Sequence, residues 1–228
     1  MKYFTPIIIL LLMQHQCSSY SSANLSPKSN LSTEVETTEI ILDDSLSNAM
    51  LLNCNLWLNS WNGGLMLDSF VFACSYTLPP LTWWENFDIS EDTFFLYHDM
   101  LCYSPNGLYA LDLYSSHIIL SGHNKMKHAT LDVDTKVHLI DTQHKQRMPI
   151  LQCGSLESVD DGFWLSDSMV VFVGFETFLD NGNQTFQPYL LLVNVFNRGA
   201  SEFRYNKVFS NTNEEFLRQK FPAIYFDY

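Results

Sequence analysis

Positive charge is scarce in this chain of 228 residues: twelve Lys and Arg stand against twenty-five Asp and Glu, a formal net charge of -13. Phosphate binding needs clustered basic side chains, so nucleic acid is excluded as a partner. Lys125, Lys127, Lys136, Lys145 and Arg147 gather some positive charge mid-chain, but acids interrupt them and they read as a solvated face. Glycine is scarce as well, with nine residues, and none is arranged as a nucleotide-binding loop. A Gly-x-Ser-x-Gly elbow is missing, and no Ser, His and Asp set stands out as a catalytic triad. No His-x-His or Cys-x-x-Cys pair fixes a metal. His117, His123, His128, His138 and His144 fall close together, yet His123 and His128 are five apart and would point to opposite faces of one strand. Asp180-Asn181-Gly182-Asn183 begins like a calcium loop, lacks the later acidic ligand, and reads as a hairpin turn. These patterns assign no catalytic residue, no metal and no cofactor.

Long apolar runs are missing too, apart from Ile7–Met13 behind Lys2. That layout is a secretory signal, too short to cross a bilayer as a helix. It ends at Cys17, and Leu11-Leu12-Met13-Gln14-His15-Gln16-Cys17 resembles the lipobox of bacterial lipoproteins. The resemblance implies lipidation of Cys17, although Gln16 stands where that motif carries Gly, Ala or Ser. Residues 1–17 are therefore expected to be a signal peptide of the lipoprotein type. Residues 18–38 are rich in Ser, Thr and Asn with almost nothing to bury, the composition of a flexible tether. Asn24, Asn30 and Asn183 open glycosylation patterns, which carry no meaning in a bacterial setting.

Residues 39–228 suffice for one domain with a sizeable core, and a hydrophobic content of 46% agrees. Short apolar stretches alternate with turn residues: Glu36–Leu42, Asn55–Leu58, Leu65–Ser75, Thr93–Tyr97, Leu108–Leu113, His117–Leu120, Ala129–Val133, Val137–Ile140, Met169–Phe175, Pro188–Phe196 and Ser201–Phe209. Asn59–Gly64 reads as a hairpin loop, because glycine accepts positive φ. Only Asn213–Lys220 reads as helix, with Asn213 as its cap. The expectation is an all-β fold of antiparallel meanders, either a partial propeller-like arrangement or a two-layer sheet.

Two segments look alike at an offset of 62 residues. Tyr103-Ser104 falls on Leu165-Ser166, and Asp132–Lys136 falls on Asn194–Arg198, which suggests a duplication around 103–140 and 165–203. Ser104-Pro105-Asn106-Gly107-Leu108-Tyr109-Ala110-Leu111 resembles the Ser-Pro-Asp-Gly signature of β-propeller blades of the WD-repeat and Tol type. Leu131-Asp132-Val133-Asp134-Thr135 resembles the later strand of such a blade. The resemblance covers roughly residues 99–205, is of the kind found in bacterial envelope lipoproteins, and implies no catalytic residues.

Candidate binding residues are Trp83 and Trp84, the adjacent acids Asp160 and Asp161, and Trp164. Of two adjacent strand tryptophans one faces outward, where its ring can stack on a sugar or anchor a protein. Paired carboxylates can share a proton or hold a cation, and equally make a solvated turn. Cys54, Cys74, Cys102 and Cys153 are an even set, open to disulfides or to burial as thiols. The functional expectation is an exported, lipid-anchored, non-catalytic binding protein of the cell envelope, periplasmic or outer-membrane-associated, or else secreted. Its partner would be an unknown protein or envelope component, and the lipid its only membrane contact. The rivals are a secreted hydrolase of glycans or peptides using Asp160, Asp161 or nearby histidines, and a purely structural lipoprotein.

Overall fold

The longest apolar stretches of the sequence, around 169–175 and 188–195, lack the alternation of a half-exposed strand, and the structure explains why. In this computed structural model, which describes residues 44–79, 84–90, 95–121, 127–131, 134–180, 182–213 and 215–227, they form the centre of a sheet covered on both faces. The central strands are β10 (Met169–Asp180) and β11 (Asn183–Asn194), paired antiparallel along their whole length. The first sheet continues outward through β12 (Gly199–Tyr205) to β1 (Phe70–Thr77) on one side and β9 (Glu157–Trp164) on the other. Because directly opposed residues share a face, Val170 and Phe172 join Leu191 and Val193 in one core. Val171 and Val173 join Leu190 and Leu192 in the other.

The first core is closed by a second sheet. It contains β3 (Cys102–Tyr103), β4 (Tyr109–Asp112), β7 (Thr135–Asp141), β8 (Gln146–Cys153) and the two-residue β2 (Glu85–Asn86), in the order β2-β8-β7-β4-β3. Leu111, Val137, Leu139 and Leu151 come from this sheet to meet the first. A small third sheet is the hairpin β5 (Ile118–Ser121) and β6 (Lys127–Leu131), to which β13 (Ile224–Asp227) adds as the one parallel strand among the described residues. The fold is all-β in type, two layers built from antiparallel meanders. These residues lie in a unit spanning Thr37–Tyr228. No helix among the described residues is long and apolar enough to cross a membrane.

The second core is closed by helices. The expected strand at Asn55–Leu58 is instead part of α1 (Asp44–Ser60). Met50, Cys54, Trp57, Leu58 and Trp61 recur at helical spacing and are all buried, whereas Leu52 on the far side is 85% exposed. Their rings interlock with the sheet: Trp61 lies 5.9 Å from Phe175 and 5.2 Å from Phe209, and Trp57 lies 6.4 Å from Phe70, centre to centre. The expected hairpin loop is the end of this helix, where Gly63 and Gly64 take φ of +86° and +70°. Phe95–Met100 is a 3-10 turn, not a strand, and so is Leu67–Ser69. The expected helix near the C-terminus is present as α2 (Glu215–Lys220). The segment Glu36–Leu42 lies outside the described residues.

Two further strands run where no strand was expected. β8 passes through Pro149, at a register shift in its pairing with β7 and beyond the reach of β2. β9 passes through Asp160-Asp161-Gly162. The offset of 62 aligns the turn opening at Ser104 with that opening at Ser166, and the two touch: the Asn106 amide donates to Asp167 Oδ1 (2.9 Å). Residues 132–133 of the expected second match lie outside the described residues, and a turn built like Asn194–Arg198 is found at Asp141–Lys145. In each, the first side chain accepts the amides two and three residues on, and the last residue takes positive φ.

Gly174 is where two strands and a side chain crowd together. A Cβ built there would lie 1.9 Å from the Ser158 carbonyl oxygen, and the Tyr189 hydroxyl crosses this gap to donate to that oxygen (2.9 Å). Gly174→Ala is expected to destabilise by about 3 kcal/mol in urea unfolding, because backbone must move. Gly154→Ala, with open space around it, is expected to change stability by less than about 0.5 kcal/mol.

Candidate functional site

Adjacent residues of a regular strand point to opposite faces, so Asp160 and Asp161 should not share one. β9 breaks that rule through a bulge: Asp161 pairs with Val173, Val159 pairs with Gly174, and Asp160 is the extra residue between. Both carboxylates consequently face the helices. Asp160 accepts from Trp57 Nε1 of α1 (2.8 Å), from Asn213 Nδ2 ahead of α2 (3.0 Å), and from Ser158 Oγ (2.9 Å). Burial pushes the Asp160 carboxyl upward in pKa, and these three donors pull it back. Asn213, expected to cap α2, donates its side-chain Nδ2 to Asp160, and its carbonyl accepts from the Phe216 amide of α2 (2.8 Å).

Asp161 Oδ1 accepts from the Tyr114 hydroxyl (3.1 Å), from the Gly162 amide (2.7 Å) and from Lys220 Nζ of α2. The Lys220 ammonium is ringed by Tyr114, Phe216 and Phe221, 5.4 to 5.8 Å from their centres. Burial and the neighbouring Asp161 hold the Tyr114 hydroxyl well above its ordinary pKa, so it stays a donor. Gly162 completes the motif sterically, since a Cβ there would press on the Phe172 ring at 2.8 Å.

Beside the bulge opens a cleft of about 270 Å³. It lies between the start of β9, the start of β7, the end of β6 and the approach to α2. Glu157, Asp160 and His117 supply its charge, hydroxyls such as Thr177 its polar wall, and Phe175 and Phe216 its apolar floor. Burial first, then the neighbouring Glu176 and Glu202, raise Glu157 from an ordinary 4.5 to about 6, with Arg204 pulling the other way. Arg204 itself is held by Glu176 (2.6 Å) and Glu202 (2.5 Å).

Of the residues singled out by sequence, the structure brings Asp160, Asp161 and Trp164 onto one strand. Asp160 and Asp161 are not a turn but part of β9, with Asp161 buried and Asp160 half-buried at the wall of the cleft. Trp164 is buried and donates to the Cys102 carbonyl (2.9 Å), tying β9 to β3. Trp84 is 42% exposed and precedes β2, at the opposite edge of the second sheet from β3. Trp83 and Cys17 lie outside the described residues, as does His123. His117 reaches the cleft, whereas His144 pairs with Asp141 on the β7–β8 turn and His128 packs on Tyr225. Among the described residues no group of three His, Cys, Asp or Glu is placed to hold a metal. Cys54, Cys102 and Cys153 are thiols, and burial pushes all three upward in pKa, Cys54 to about 12. Sequence reasoning missed Glu157, whose only signal was its place three residues ahead of the acidic pair. No known protein family, curated protein or solved structure matches the chain.

Two outcomes follow from this geometry. Asp160→Ala strands two buried donors and is expected to lose about 2 kcal/mol in urea unfolding, with a weakened near-ultraviolet tryptophan signal; Asp160→Asn, keeping an acceptor, should lose less. Glu157 has the opposite sign. Its folded pKa lies above the ordinary value, so its ionisation opposes folding: stability falls as pH rises from 4.5 to about 6 and stays reduced above that. Glu157→Gln should therefore raise the thermal midpoint near neutral pH, and the gain should vanish below the ordinary glutamate pKa.

Proposed function

We propose that the chain is an exported, non-catalytic binding protein of the cell envelope, anchored through a lipid on Cys17, in which a rigid β scaffold presents a cleft. The observation that carries the non-catalytic reading is the fate of the acidic pair. Asp160 and Asp161, the carboxylates a hydrolase would have drawn on, are taken up by five side-chain donors, four of which hold the helices and the Tyr114 loop to the sheet, with Ser158 of β9 the fifth. A general acid or base must exchange a proton with substrate, and a carboxylate saturated by structural donors is poorly placed to do so. The two consecutive four-stranded meanders, β3-β4-β7-β8 and β9-β10-β11-β12, support a propeller-like reading of the repeats. Net negative charge supports a partner that is not a polyanion.

The hydrolase reading retains one foothold, because Glu157 and His117 line the same cleft. The structural-lipoprotein reading shares the anchor but needs no ligand. Intact mass of membrane and soluble fractions from the native host, comparing wild type with Cys17→Ala, tests the anchor. The expected result is a membrane-bound form carrying acyl mass that the substitution releases. A cleaved soluble form without acyl mass overturns the anchor and leaves a secreted binding domain. An uncleaved cytoplasmic form overturns export altogether.

A further inference from the structure

The cleft beside β9 has an uneven charge inventory. Its lining includes two carboxylates and an imidazole, and no Lys or Arg. The cations nearby are committed elsewhere: Arg204 to Glu176 and Glu202, Lys220 to Asp161. Asp160 is answered by Trp57, Asn213 and Ser158. Glu157 is different. Among the described residues no cation is bonded to it, and the carboxylates of Glu176 and Glu202 push against its charge. The floor is made of phenyl rings, Phe175 and Phe216, and Phe216 already lies within 5.8 Å of the Lys220 ammonium. Phenyl rings and an exposed carboxylate at a concave mouth are the two features that select a positive charge on an organic stem.

We propose that this cleft binds an organic cation, an alkylammonium or guanidinium group on a short apolar stem, with Glu157 as its counter-charge and Phe175 and Phe216 against the stem. The volume of about 270 Å³ suits a single such side chain or a small amine. The chemistry is shared by a free amine and by a basic side chain on a partner, and the experiment separates them. The charged groups bearing on Glu157 are Glu176 of β10, Glu202 and Arg204 of β12, with Asp160 and His117 in the cleft. A bound cation would relieve the repulsion among the three glutamates. The proposal deepens the binding-protein reading and rests on it.

The test is calorimetric titration of the full chain with agmatine and with the capped tripeptide Gly-Arg-Gly. Saturable binding of either probe near neutral pH is expected. It should weaken about tenfold near pH 5, where a carboxyl titrating at about 6 is mostly protonated. Glu157→Gln should weaken it about tenfold and abolish the pH dependence, while the remote Asp68→Asn leaves it unchanged. A preference for agmatine assigns a free amine; a preference for the tripeptide assigns a partner's side chain. No saturation by about 10 mM of either probe, or equal affinity in Glu157→Gln, overturns the site, the latter because attraction would then come from the diffuse negative field. Mass analysis of the recovered probes keeps the two readings apart. A transformed probe would overturn the non-catalytic reading and leave the cation site standing.

Discussion

One extra residue in β9 sets much of the architecture. Without the bulge at Asp160, one of the two carboxylates would enter the core between the sheets, where neither α1 nor α2 could reach it. With it, both face the helices, and three separate segments converge on them: α1 through Trp57, the approach to α2 through Asn213, and the 114 loop through Tyr114. These contacts are directional in a region otherwise filled by rings and aliphatic chains. Apolar packing alone tolerates sliding, whereas buried hydrogen bonds to a carboxylate demand a position. The buried Lys220–Asp161 pair need not add net stability, since desolvation opposes it. Its consequence is placement: α2 can dock in one way.

The bulge depends in turn on glycines in two strands. Gly174 admits the Ser158 carbonyl against the backbone of β10 and lets the Tyr189 hydroxyl reach it from β11. Gly162 lets the Phe172 ring lie flat on β9. Strand, bulge and ring are thus solved together, and the sheet that results is covered on both faces. Such a sheet has little freedom to flex, which suits a scaffold whose cleft forms along its edge.

The alternation of short apolar runs and turn residues made the β character and most strand positions legible. What escaped has identifiable causes. α1 carries Asn53, Asn55, Asn59 and Ser60, weak helix formers, so composition concealed the helical spacing of Met50, Cys54, Trp57, Leu58 and Trp61. β8 was hidden by Pro149 and β9 by Asp160-Asp161-Gly162, because each breaks a local rule that a register shift in the sheet then accommodates. The likeness of the turns at Asp141–Lys145 and Asn194–Arg198 rests on side-chain-to-amide bonds and a positive φ at Lys145 and Arg198, which residue identity does not display. The acidic pair was legible as unusual but not as structural, since a bulge is fixed by tertiary pairing. Trp164, singled out as a candidate binding residue, is buried, and its indole serves the β9–β3 seam.

Three carboxylates within five residues of one strand have different fates, and the difference separates scaffold from site. Asp161 is buried and Asp160 half-buried, and donors from distant segments meet both. Glu157 lies at the open end of the same strand, beside two like charges, with its ionisation opposing the fold at neutral pH. A carboxylate that serves only architecture would gain by becoming glutamine there, at no loss of shape. An acid at this position, in the cleft that Asp160 also lines, has its physical sense in a positive charge that arrives from outside the chain.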